Sequence, residues 1–177
     1  MTAVKKRTAS AAKKSAKQSK VAAPAYRVAE KYSSTSLSLE GIRKGFTRAD
    51  LRFDGVDHSQ TTYEARVFLN NTNASDKTPT TLDQGYAGRF HIFGHGGCLG
   101  DVGHCEVRGP RRPFDPRPAH ALTPATKFIV ATDAIRQAMS KGTKVTVTVV
   151  PIVLSGTKLC DYKNVLKFDK ISIIAYQ

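Results

Sequence analysis

Along residues 63–69 (YEARVFL) the side chains of Tyr63, Ala65, Val67 and Leu69 fall on one face, the two-residue period of a half-buried β-strand. Residues 86–93 (YAGRFHIF) repeat the signal, and Gly85 and Gly88 mark a bend or close packing there. The strongest run is 144–153 (KVTVTVVPIV), where valine alternates with threonine. Pro151 lacks an N–H and so predicts the end of that strand or a sheet edge. Residues 51–56, 127–130 and 165–176 supply further extended pieces. Between them, 70–81 is rich in Asn, Thr, Ser, Asp and Pro, the residues of turns. One helix is predicted over 134–141, capped by Thr132 or Asp133 and stopped by Gly142. Short strands, turn-rich loops and a single helix predict a mostly β chain, an antiparallel β-sandwich of jelly-roll type.

Residues 1–36 break this rhythm. They are built of Ala, Ser, Lys and Thr, with too little apolar surface to offset the entropy of ordering, and are predicted to be a disordered tail. The single domain then spans 37–177, a length that sustains one core. The net charge of +14 is concentrated in the tail, where Lys5, Lys6, Arg7, Lys13, Lys14, Lys17 and Lys20 meet no acid. Such a tail can contact nucleic-acid phosphates, with affinity that falls in salt. No aromatic residue precedes Tyr26 to stack on bases. Neither an 18-residue apolar run nor a secretory h-region is present, so the expectation is a soluble, cytoplasmic protein without membrane contact.

Chemistry-bearing side chains gather in 89–105. His91, His95, Cys98, His104 and Cys105 lie among glycines that would let a loop turn its ligands inward, and imidazole with thiolate suits a soft ion such as copper or zinc. The spacing matches no standard zinc pattern, and Cys98 with Cys105 also reads as loop thiols or a disulfide; Cys160 makes the cysteine count odd. Residues 108–118 (RGPRRPFDPRP) cannot form a ladder, and Arg108, Arg111, Arg112, Phe114 and Arg117 there form a candidate surface for an acidic protein partner. Neither a G-x-S-x-G elbow nor a phosphate-binding P-loop occurs, and no complete enzyme active site is legible.

At YEARVFLNN, GYAGRFHIFGHGGC and VLKFDKISI the chain resembles the β-sandwich domain that follows the copper domain in tyrosinases and polyphenol oxidases. The resemblance spans most of 51–177. In that family the sandwich packs on the dicopper domain and can shield the site of phenol oxidation. A type-3 copper centre takes six histidines from a helical bundle, whereas this chain has His58, His91, His95, His104 and His120. The resemblance therefore implies a non-catalytic accessory subunit that docks on a separate type-3 copper oxidase chain. Two other readings stand beside it: a copper metallochaperone using the His and Cys loop, and a nucleic-acid-associated scaffold using the tail.

Overall fold

The computed structural model describes residues 26–34, 36–94, 114, 123–154 and 164–177. Its strands are β1 (Tyr26–Val28), β2 (Tyr32–Ser33), β3 (Leu37–Ser38), β4 (Arg48–Val56), β5 (Tyr63–Leu69), β6 (Tyr86–Ile92), β7 (Ala125–Val130), β8 (Lys144–Val145), β9 (Val147–Leu154) and β10 (Lys170–Tyr176). Helix α1 (Thr132–Lys141) lies between β7 and β8. One sheet has the order β1-β9-β5-β6, with β2 also on β9; a second has the order β10-β4-β7; β3 and β8 form a small third. Every pairing is antiparallel, as the alternating sequence pattern predicts.

The two larger sheets face each other across the core. Phe53 of β4 sets its ring 5.0 Å from Phe90 of β6 and 5.6 Å from Phe168, which in turn meets Tyr32 edge-on at 4.8 Å. Leu51, Phe53, Val67, Val147 and Val149 are fully buried. Removing each such side chain from water contributes roughly 1.5–3 kcal/mol. Gly88 lies at the register break between β5 and β6 with φ of 138°, and a Cβ there would strike Ile129 of β7. Glycine thus lets the sheets close, which is the tight packing its position in the sequence suggested.

Strand β9 is buried on both faces. Val147, Val149 and Val153 belong to the main core, while Val150 and Ile152 join Phe68 and Ala74 in a second cluster under the 70–79 turn. Pro151 neither ends this strand nor sits at an edge: it pairs with Ala65 of β5 inside β9. The reason is on its other side. The Pro151 carbonyl accepts the Ala29 N–H at 3.1 Å, so its missing donor points toward the break where β1 ends at Val28 and β2 begins at Tyr32. No ladder donor is required at that gap.

Pairing with β9 also begins ahead of the Leu37 boundary, because β1 and β2 borrow their order from β9 rather than from their own apolar content. Helix α1 buries Ala134, Ile135 and Ala138, and it starts without a side-chain cap. Thr132, expected as a cap, instead accepts the Ala49 N–H on its hydroxyl at 3.1 Å. At the other end of the chain, strand order begins at Lys170, since 165–169 leave the extended run and carry Val165 and Phe168 into the core.

Candidate functional site

The connection between β4 and β5, residues 57–62, holds both ends of the segment 95–122. On the outgoing side the Gly94 N–H donates to Thr62 Oγ1 at 3.1 Å, and a Cβ at this glycine would run into the Gln60 and Thr61 backbone. On the returning side His58 Nε2 donates to the Thr123 carbonyl at 2.7 Å. A turn within the connection, in which Asp57 Oδ1 accepts the Ser59 N–H at 2.8 Å, fixes its shape. Phe93, immediately before Gly94, is 81% exposed. Phe114, inside the held segment, is fully exposed and has φ of 70°.

Beneath this stem lies Tyr63, 2% exposed, whose hydroxyl finds no hydrogen-bond partner among the described residues. Burial, and then the nearby Asp57 charge, push its ionisation well above the ordinary tyrosine range. The phenol therefore stays protonated and offers a buried dipole, not a base.

On the outer face of β5 and β6, Glu64 is a hub. Its carboxylate accepts Arg66 Nε at 2.6 Å and lies 3.3 Å from His91 Nε2 and 3.6 Å from Arg89. Cross-strand register makes this set: Glu64 sits opposite His91, and Arg66 opposite Arg89. Burial pushes Glu64 up, but the Arg66 hydrogen bond and the Arg66 and Arg89 charges, helped by His91, outweigh it and hold the carboxyl below its usual range.

The outer face of the other large sheet carries a charge ladder. Arg48 grips Asp50 through two contacts of 2.8 Å, and Arg52 holds Asp54 at 2.8 Å. Arg48 also stacks on Tyr176 of β10, and Arg52 on Phe128 of β7. Phe128, Val130 and Tyr176 stay exposed along this face.

Of the five side chains proposed as metal ligands, His91 is described, and it faces outward toward Glu64. His95, Cys98, His104 and Cys105 lie outside the described residues, as do Arg108, Arg111, Arg112 and Arg117 of the proposed partner surface and the tail residues Lys5 to Lys20. Among the described residues no group of three or more His, Cys, Asp and Glu could hold a metal ion, and no helix is long and apolar enough to cross a membrane. Phe114, the described member of that surface, is exposed. His58, Phe93 and Glu64 escape a reading of the sequence. Phe93 is out of step with the buried Phe90 and Ile92 and follows the exposed Arg89 and His91, so the alternation itself is the signal that could have found it.

No protein-family model matches the chain, and no curated protein matches it. Among solved structures it is similar to a recombinantly expressed latent aurone synthase (polyphenol oxidase), at 14% identity with a TM-score of 0.47, over 82% of this chain and 24% of that one. The same enzyme co-crystallized with hexatungstotellurate(VI) gives 13% identity and a TM-score of 0.48, over 83% and 24%. Latent aurone synthase from natural source gives 15% and 0.47, over 86% and 25%. The chain thus spans about a quarter of the length of these polyphenol oxidases.

Proposed function

We propose that the protein is a non-catalytic accessory module that docks through the stem end of its sandwich on a type-3 copper oxidase chain. The observation that carries this reading is Phe93, an aromatic ring 81% exposed at a place where the backbone on either side of the held segment is pinned. A rigidly presented aromatic costs little side-chain entropy on binding and is the usual anchor of an interface. Phe114 offers a second such ring. The family resemblance of the YEARVFLNN and GYAGRFHIFGHGGC motifs, the second of which contains Phe93, supplies the class of partner.

Calorimetric titration against the isolated catalytic domain of a tyrosinase-type oxidase tests the idea. Saturable binding with a matching fall in o-diphenol turnover is expected. Phe93→Ser combined with Phe114→Ser should weaken binding tenfold or more, about 1.4 kcal/mol, while leaving the melting temperature in place. Absence of heat and of inhibition throughout the titration would remove the proposal.

A further inference from the structure

Among the described residues, strand β10 is an edge without the usual defences. Sheet edges invite pairing with another chain unless they are short, bulged, glycine-broken or charged. The other edges of the two larger sheets show such devices. Edge strand β7 has a register break against β4 and turns Lys127 toward the inner face, β6 carries Gly88 at its own break, and β1 and β2 are short and interrupted. In contrast β10 (KISIIAY) pairs with β4 at all seven positions without a break, contains no proline or glycine, and among the described residues has no strand on its other side. The strand borders a cleft of about 580 Å³, lined by Ile171, Ile173 and Ala175 together with Leu37, Ile42 and Phe46 and the charged Glu40 and Arg43. The seam between the layers is therefore left ajar where the edge is unpaired.

We infer that β10 pairs antiparallel with β10 of a second copy, joining two three-stranded sheets into one six-stranded sheet across a two-fold axis at Ile173. The sequence selects this register. Centring on Ile173 engages the whole strand: Lys170 lies opposite Tyr176, Ile171 opposite Ala175, and Ser172 opposite Ile174. Inner-face residues meet inner-face residues, and outer meet outer. An axis placed between residues would set the two faces against each other, and an axis at Ser172 or Ile174 would leave strand ends unpaired. Charge agrees as well. The lysines of the two copies sit at opposite ends, about 20 Å apart, and each approaches a tyrosine ring, a favourable partner for a cation. Pairing also brings the open seams together, so that the partly buried Ile173 of one copy covers that of the other. Because both copies are basic, added salt favours association, the opposite of its effect on phosphate binding.

Disulfide trapping in the full chain tests this, with Cys98, Cys105 and Cys160 replaced by serine. Residues opposite each other across antiparallel strands have Cα atoms about 4.5–5.5 Å apart, within disulfide reach. Ile173→Cys should therefore form a covalent dimer on mild oxidation, whereas Ser172→Cys, which faces residue 174 of the other copy, should not. In sedimentation equilibrium the natural chain should show a dimer that strengthens with salt. Ile173→Lys and Ile173→Glu should each sediment as monomers and recover dimer when mixed. A natural chain that stays monomeric at every concentration and salt, or Ile173→Cys linking no faster than Ser172→Cys, overturns the inference. The disulfide comparison reads the axis even if a charged variant folds poorly.

Discussion

At the scale of single residues, Tyr63 and Glu64 are neighbours in sequence with opposite electrostatic problems. Tyr63 points into the core and buries a hydroxyl with no partner among the described residues. Desolvating an unpaired hydroxyl costs about 1–3 kcal/mol, so Tyr63→Phe should leave stability unchanged or raise it by about 1 kcal/mol. A urea midpoint that falls would mean the hydroxyl has a partner. Glu64 points outward and is held ionised by Arg66, Arg89 and His91. Its folded-state ionisation lies below that of the unfolded chain, so its stabilisation is complete above the unfolded glutamate value near about 4.3. It then fades as pH falls through the lower folded value. Glu64→Gln should cost about 1 kcal/mol at neutral pH, in keeping with a charge-assisted hydrogen bond in a partly exposed site. Urea titrations at neutral and acid pH should show the gap between the natural chain and this variant closing on acidification; a gap indifferent to pH would discard the account. The alternation at 63–69 made the directions of both side chains legible. The two basic neighbours on β6 were not, because cross-strand register is a long-range choice.

At the scale of elements, legibility followed how much each strand depends on its own side chains. Strand β5 emerged with its expected ends, Tyr63 and Leu69, since its period-2 apolar face is also its buried face. Strands β1 and β2 have no such pattern, and only pairing with β9 orders them. Proline was misjudged for the same reason. Its local rule forbids a ladder donor, but whether the ladder needs one there depends on a partner strand far away in sequence. Pro151 and Val149 share the inner run of β9, yet Val149 is paired on both sides, with Tyr32 of β2 and Val67 of β5. Pro151→Ala should therefore cost only about 0.4–1 kcal/mol, largely through the freer unfolded chain. Val149→Pro should abolish the cooperative transition, since it removes a fully buried side chain and inserts a proline into a continuous pairing. Circular dichroism melts of the two variants decide the matter, and equal losses would show that the β1–β2 break does not shelter Pro151.

At the scale of the whole molecule, shortening the 95–122 segment tests whether the sandwich stands without it. Among the described residues the body closes its core through β4, β5, β6, β7, β9 and α1. The residues flanking it are pinned: Gly94 and Thr123 are bonded to Thr62 and His58. Those two anchor residues are four apart in one connection, so they lie within about 14 Å of each other along an extended chain. A bridge of roughly six Gly and Ser residues therefore suffices to join Gly94 to Thr123 without strain. The shortened protein should melt cooperatively within a few degrees of the natural chain, since a shorter loop slightly lowers the entropy of closure. If the segment and Phe93 together make the docking end, the shortened protein should lose binding to the oxidase domain more completely than Phe93→Ser alone. A shortened protein that melts broadly would show that the segment contributes to the core. One that melts sharply and still binds at full strength would move the docking surface elsewhere, with the exposed row of Phe128, Val130 and Tyr176 as the next face to substitute.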